Sequence, residues 1–220
     1  MGKFLQIFRS MGARTAIIGT AAVLTSSAAI AQFSDSYSFL KAVRDEDGAE
    51  ATKFIDEPGS GGVIINTRDD ATGDGALHIV TRRRDSTWLG FLLQKGANPN
   101  IADRNKVTPL MLATTLNFAE GVEWLLRYKA DVNQANRSGE TALILAVQLR
   151  NAELTQLLLK KGANPDKADT ISGLSARDYA KRDSRAGAIS ALFEAHDAAA
   201  DGGDKAAEKK QGDLDFSGIK

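Results

Sequence analysis

The 220-residue sequence has no cysteine, only two histidines and four prolines, and few aromatic residues. Without cysteine there is no disulfide, no thiol nucleophile and no thiolate metal site. A Walker-type phosphate loop, a Gly-x-Ser-x-Gly elbow and a His-Glu-x-x-His motif are also absent. Acidic residues are scattered and are not paired within apolar segments, so no tuned acid and base are indicated. We therefore expect a protein that is not an enzyme and that uses no cofactor or metal.

An excess of charge of one sign is also missing. The chain has 28 Lys and Arg residues against 28 Asp and Glu residues. Proteins that bind nucleic acids usually carry a clear positive excess. The balance of charges therefore argues against a nucleic-acid partner.

The first 31 residues differ from the rest of the chain. They contain Lys3, Arg9 and Arg14 but no acidic residue, and residues 16–24 form an apolar run too short to span a bilayer. Small residues at 29–31 fit a cleavage site near Ala31. Residues 1–31 are thus predicted to be a secretory signal peptide, with the periplasm of a Gram-negative bacterium as the destination and secretion from the cell as the alternative. A mitochondrial presequence and a retained membrane anchor are weaker alternatives, and the mature chain is predicted to have no membrane span.

A pattern of about thirty-three residues recurs through the middle of the chain. The clearest copy combines residues 108–113 (Thr-Pro-Leu-Met-Leu-Ala), 124–126 (Trp-Leu-Leu) and 129–133 (Lys-Ala-Asp-Val-Asn). The other two copies comprise 75–80, 91–93 and 96–100, and then 141–146, 157–159 and 162–166. Apolar residues recur at helical spacing, whereas the polar residues between them vary. This arrangement is typical of stacked helical hairpins that share one core.

The pattern resembles the ankyrin repeat, with its Thr-Pro-Leu-His-x-Ala start, Leu-Leu pair and Gly-Ala-Asp-x-Asn end. The resemblance implies an all-α solenoid of about five helix–turn–helix repeats with short β-hairpin-like finger loops. The predicted domain covers 32–196, with repeats at about 34–69, 70–102, 103–135, 136–169 and 170–196. In the last repeat Arg177 replaces a leucine, as in a C-terminal cap. Residues 197–220, which have little apolar content, are predicted to be a disordered tail.

Several residues are predicted to be structural. Pro109 suits the first turn of a helix, and Gly96 and Gly162 suit the left-handed position after a helix. Lys129 takes that position in the third repeat, at an energetic cost. The resemblance implies that His78 hydrogen-bonds the backbone of neighbouring loops. The remaining structural candidates are Thr108, Leu110, Leu125, Leu126, Thr141, Leu143, Leu157 and Leu158.

Two surfaces are candidates for partner binding, and in the family both hold partners. The first is the concave face, with Arg82, Arg83, Arg84, Thr115, Leu116, Gln148, Leu149 and Arg150. The second is formed by the finger loops at 69–73, 103–107, 136–140 and 169–172, with Arg104, Lys106, Arg137 and Glu140. Two alternatives remain for the concave set: the arginines are simply a solvated turn, and the leucines simply close the core.

The predicted function is therefore a non-catalytic, monomeric module or scaffold that binds an unknown protein in the periplasm. A secreted effector that binds a host protein is one alternative. A protector or chaperone of one periplasmic enzyme is the other.

Overall fold

The computed structural model describes residues 35–57 and 61–212, and this part of the chain is largely helical. Its helices are α1 (35–44), α2 (Gly48–Asp56), α3 (Gly61–Ile64), α4 (Ala76–Arg82), α5 (Ser86–Gln94), α6 (Pro109–Thr115), α7 (Ala119–Arg127), α8 (Ala142–Gln148), α9 (Ala152–Lys160), α10 (Ala176–Arg182) and α11 (Gly187–Gly212). Within the described ranges no strand is formed, and extended pairing is limited to two isolated antiparallel bridges, Arg68–Gly75 and Ala135–Thr141. The predicted signal peptide lies outside the described residues.

The helices form pairs that stack side by side. The pairs α4/α5, α6/α7, α8/α9 and α10/α11 each contact internally, and the first helices α4, α6, α8 and α10 contact one another in sequence. One continuous apolar core runs through the stack, and Leu110, Leu125, Leu143 and Leu158 are at most 1% exposed. Leu126 and Leu157 are only half-buried and cover the edge of this core. The prediction of an all-α solenoid of helix–turn–helix repeats is confirmed.

The first helices begin where threonine can cap them. Thr108 accepts a hydrogen bond from the Met111 N–H through its hydroxyl oxygen, and Thr141 does the same for the Ile144 N–H, both at 3.3 Å. Pro109 follows Thr108 as the first helical residue, where its missing N–H has no intrahelical partner to lose. These caps give the third and fourth repeats a defined starting point.

Each repeat also ends on a left-handed residue. Gly96 has φ of 92° and Gly162 has φ of 85°, whereas Lys129 adopts φ of 64° at the same place in the third repeat. Only glycine takes this conformation without a steric penalty from its β-carbon. The turn is therefore built in the third repeat as in its neighbours, but with a strained residue.

The last helix, α11, extends through Gly212 and so includes residues for which the sequence predicted a disordered tail. Residues 213–220 lie outside the described range. Asp197 accepts two hydrogen bonds from the Arg177 guanidinium, which also lies 5.3 Å from the Phe193 ring centroid. These contacts hold the helix beyond the predicted end of the last repeat. Alanine, lysine and glutamate, which are strong helix formers, are frequent in the sequence that follows, although it also contains Gly202 and Gly203.

Candidate functional site

The finger loops take their shape from one side chain at the start of each loop. The Asp103 carboxylate accepts hydrogen bonds from the N–H groups of Asn105 and Val107, at 2.7 and 2.8 Å. The Asn136 side-chain oxygen accepts from Ser138 and Glu140, both at 2.9 Å. Asp69 and Asp169 play the same part in the first and last loops. Because backbone donors are satisfied locally, each short loop has a fixed conformation.

Neighbouring fingers are joined to one another through their backbones. The N–H groups of Arg104, Arg137 and Thr170 donate to the carbonyls of Thr72, Asn105 and Ser138, at 3.2, 2.9 and 2.9 Å. We call the four loops joined in this way (69–73, 103–107, 136–140 and 169–172) the finger row.

Two glycines permit the close approach of adjacent fingers. A β-carbon at Gly73 would lie 2.7 Å from the Arg104 nitrogen, and one at Gly139 would lie 2.5 Å from the Thr170 nitrogen. Both glycines also have positive φ, at 79° and 78°. Neither position can take another residue without moving the next finger. The fingers therefore form a continuous row with fixed spacing.

His78 ties the first helix of the second repeat to the adjacent finger. Its side chain is fully buried. Its Nδ1 accepts a hydrogen bond from the Gly75 N–H at 3.1 Å, and its Nε2 lies 2.9 Å from the Val107 carbonyl oxygen, to which it donates as the Nε2–H tautomer. Burial lowers the pKa of His78 below the ordinary histidine value, because the charged ring would be poorly solvated there. The ring is therefore a neutral structural bridge.

Polar side chains at the ends of the first helices reach toward the finger row or the residue next to it. The Arg82 guanidinium lies 3.2 Å from both carboxylate oxygens of Asp74. The Gln148 amide lies 3.5 Å from the Glu140 carboxylate. The helix face that carries Arg82 and Gln148 therefore looks toward the fingers.

An apolar strip lies on that same face. Ile79 and Leu145 each lie three residues before the helix end, which puts them on one face with Arg82 and Gln148. Both are half-buried, and Leu112, in register between them, is almost fully buried. The sequence pattern did not indicate this strip, because the same residues also fit the core pattern. We call Ile79, Leu112 and Leu145 the groove floor.

Arg83 has a different place from the one predicted. Its guanidinium donates to the Val43 carbonyl at 2.9 Å and to the Asp85 carboxylate at 3.1 Å, and its carbon lies 5.9 Å from the centroid of the Trp88 ring. Only 25% of the side chain is exposed. The expectation that Arg83 is available to a partner is thus corrected, because its donors join the second repeat to the end of α1.

The other predicted residues of the concave face differ in exposure. Thr115 and Arg84 are exposed, and Arg84 has φ of 57° in the turn between helices. Leu116 is half-buried against the core, whereas Leu149 is 50% exposed. Arg150 forms an ion pair with Asp183 of the next turn. The structure therefore separates two leucines that the sequence pattern treated alike.

The predicted residues of the finger loops differ in the contacts that they make. Lys106 and Arg137 are exposed, and within the described part of the chain their side chains form no hydrogen bond or ion pair. Arg104 donates to the Asp70 carbonyl of the preceding finger. Glu140 accepts from Asn136 at 2.8 Å and so supports its own loop. The tips thus present mainly cationic side chains, with Glu140 held inside the finger.

Two other kinds of site are absent from the described ranges. No group of three or more histidine, aspartate or glutamate side chains there is arranged to hold a metal ion. No helix there combines the length and the apolar character that crossing a membrane requires.

Comparison with known families identifies the architecture. A family model for ankyrin repeats matches three overlapping segments, at residues 40–136, 77–169 and 119–201. This chain belongs to the ankyrin repeat family. Ankyrin repeats are generally protein–protein interaction modules and are typically non-catalytic.

A curated relative has the same repeats. An ankyrin repeat protein of Rickettsia bellii (strain RML369-C) is 44% identical to this chain over 57 residues. The match covers 26% of this chain and only 16% of the relative, so the ankyrin chain spans a small part of that protein's length. The similarity therefore concerns the repeats alone.

Proposed function

We propose that this ankyrin protein is a non-catalytic scaffold of the bacterial periplasm that holds a protein partner between the finger row and the groove floor. The observation that carries the proposal is the pairing of these two surfaces. Backbone hydrogen bonds fix the fingers beside an apolar strip, and Arg82, Thr115 and Gln148 provide a polar rim. A partly apolar surface with a polar rim is typical of protein interfaces.

The rigidity of this surface supports binding. The finger loops are held by their own side-chain caps and by each neighbour. A preformed surface loses little conformational entropy when a partner is bound, so more of the contact energy remains as affinity. The groove therefore needs no large rearrangement to receive a folded partner.

The compartment is the second part of the proposal. It rests on residues 1–31, with their basic start, short apolar run and small residues before Gln32. The lack of cysteine is compatible with an oxidising compartment, because no thiol is exposed to oxidation there. Detection of a chain beginning at Gln32 in the periplasmic fraction would support export. A full-length chain in the cytoplasm would reject it.

A capture experiment tests binding through the groove. The protein is immobilised and exposed to a periplasmic extract of its own source cells. The groove variant Thr115→Arg/Gln148→Arg is compared with Gln94→Arg/Gln156→Arg, which adds the same charge at exposed positions of two second helices. We expect one stoichiometric protein that the groove variant loses and the control retains.

Other outcomes separate the remaining hypotheses. Equal retention by both variants would reject the groove as the binding site. Stoichiometric capture only from host-cell extract would favour a secreted effector. Capture of a single enzyme whose stability rises in the complex would favour a protector.

A further inference from the structure

An exposed apolar side chain marks the turn of the fourth repeat. Leu149 directly follows α8 and is 50% exposed, whereas Arg83 and Leu116, at the same place in earlier repeats, are half-buried. In the fifth repeat the residue at that place is Asp183, and Arg182 before it is the exposed last residue of α10. The ion pair between Arg150 and Asp183 joins these two turns directly. Leu149 precedes Arg150 and Arg182 precedes Asp183, so the two residues belong to adjoining turns.

Positive charge surrounds Leu149. Asp183 is the one acidic residue in the two turns, and it is already bound by Arg150 and by the Arg185 N–H, at 3.0 Å for the latter. These donors lower the pKa of Asp183, the Arg185 N–H first, so the carboxylate is ionised and fully occupied. The side chains of Lys181 and Arg182 are exposed and form no hydrogen bond or ion pair with any described residue, although their charges help to lower the pKa of Asp178, after its hydrogen bonds with Ser175. The surface therefore has unpaired cations next to an uncovered leucine.

We propose that this surface, the Leu149 patch (Leu149, Arg150, Lys181, Arg182 and Arg185), binds an acidic protein segment in which carboxylates flank an apolar side chain. The proposal rests on the proposed function and names the chemistry of the partner. Arginine binds a carboxylate through two parallel hydrogen bonds. Contact with an apolar side chain would remove the exposed surface of Leu149 from water, which favours binding. The exposed charges mainly raise the association rate and select the partner.

Two observations favour a protein segment over a nucleic acid or an anionic membrane. The patch has an apolar centre, which a phosphate backbone would leave uncovered. The whole chain is also electrically balanced, and exposed acids lie on the second helices, among them Glu120, Glu123 and Glu153. A general polyanion would be repelled there, whereas a short segment can contact the patch alone.

Selection from a random-peptide display library tests the proposal. The library is selected on the purified full chain, and the affinity of the most enriched peptide is then measured by fluorescence anisotropy. We expect peptides with acidic residues around a leucine or phenylalanine, and binding that weakens as salt is added. Arg182→Glu should weaken binding about tenfold or more, which corresponds to about 1.4 kcal/mol. The charge-matched control Lys160→Glu, at an exposed position of α9, should leave it unchanged.

A second variant, whose folding is checked directly, shows whether loss of binding comes from the patch or from unfolding. Leu149→Asp should also abolish binding, and its circular dichroism spectrum and thermal melt are compared with the native protein. If that variant unfolds, the comparison of Arg182→Glu with Lys160→Glu decides alone, since both change exposed side chains. Enrichment of basic or uncharged peptides would overturn the proposal. Equal affinity for the Arg182→Glu and Lys160→Glu variants would overturn it as well.

Single-stranded DNA and phosphatidylglycerol vesicles serve as competing probes. If either binds as tightly as the peptide and loses binding with Arg182→Glu, the patch is a general polyanion site and the proposal fails. The capture experiment distinguishes failure of this proposal from failure of the proposed function. A captured partner lost by the Thr115→Arg/Gln148→Arg variant but kept by Arg182→Glu would retain the groove and reject the Leu149 patch.

Discussion

The ring of Phe118 lies directly over Gly121, so a β-carbon at Gly121 would fall 2.3 Å from ring atoms Cδ1 and Cε1. Phe118 precedes α7 at a position where Asp85 and Asn151 cap α5 and α9 through their side chains. It makes no capping hydrogen bond and is nearly buried. The third repeat thus has an apolar contact between Phe118 and Gly121 where its neighbours have a polar helix cap, and only glycine at position 121 leaves room for the ring.

Gly121→Ala is therefore expected to destabilise the protein by about 1–3 kcal/mol, because the added methyl group must displace a buried ring. Alanine has the better helix propensity, so the contact has to outweigh a gain of up to about 1 kcal/mol. Urea unfolding would measure the difference. Gly187→Ala is the control, since a β-carbon there meets no atom within 4 Å. An equal effect of both substitutions would contradict the packing of Phe118.

Thr81→Val is expected to stabilise the protein by about 1 kcal/mol. The Thr81 hydroxyl is buried and, among the described residues, has no hydrogen-bond partner. Val147 occupies the equivalent position of the fourth repeat, so the fold already accommodates a valine side chain at that position. Thr114→Val is the comparison, because the Thr114 hydroxyl donates to the Leu110 carbonyl at 2.9 Å. A similar rise in melting temperature for both variants would show that the Thr81 hydroxyl is satisfied in solution.

Lys129→Gly is expected to raise the free energy of unfolding by about 1 kcal/mol, since a non-glycine residue with φ of 64° is strained. The greater freedom of glycine in the unfolded chain offsets part of this gain. Gly96→Ala is the reciprocal test, because a β-carbon there has φ of 92° but no atom within 4 Å. Gly96→Ala should lower the free energy of unfolding through backbone strain alone. Denaturant midpoints that move in the same direction for both would exclude this explanation.

The bridge made by His78 predicts an acid-dependent loss of stability. The pKa of His78 is lowered in the folded state, so the unfolded chain binds more protons once the pH falls below 6.5. Stability from this residue is complete above pH 6.5 and is lost progressively toward the lower folded pKa. Urea unfolding at stepped pH values should show this slope in the native protein. His78→Gln should be less stable at neutral pH and should lack that slope, and a slope that persists would point to another group.

The guanidinium of Arg83 predicts a local effect on the first repeat. Arg83→Gln removes the donors to the Val43 carbonyl and should cost about 1–2 kcal/mol. Because repeats depend on their nearest neighbours, hydrogen exchange should increase first in residues 35–44. Arg84→Gln, at the exposed next position, should leave exchange unchanged. Uniform exchange across α1 in both variants would show that Arg83 does not hold the first repeat.

Local spacing in the sequence was enough to predict several features of the fold. The threonine caps, the buried leucines of each helix and the left-handed turns recur every thirty-three residues, so Thr108, Leu125 and Gly96 could be assigned from the repeat alone. Contacts between repeats could not be predicted in this way. The contact of Arg83 with the Val43 carbonyl joins residues forty positions apart, and no repeat pattern indicates it.

The sequence pattern was equally limited in predicting the candidate site. Leu116 and Leu149 occupy equivalent positions in sequence, yet one packs against the core and the other is half-exposed, because their neighbours in the stack differ. Ile79 and Leu145 could not be recognised as a surface strip, because apolar residues at helical spacing also describe a core. The composition of the tail indicates low hydrophobicity, but it does not reveal that Asp197 is anchored by Arg177.

Each pair of neighbouring fingers is joined by a hydrogen bond between backbone atoms, and this separates what the fingers bind from how they are held. Lys106 or Arg137 can be replaced by almost any residue without removing a bond of the row. Mutations of these two side chains therefore affect folding little and act mainly on the binding of a partner. A lineage that carries this protein can change its specificity one finger at a time, while the framework beneath stays the same.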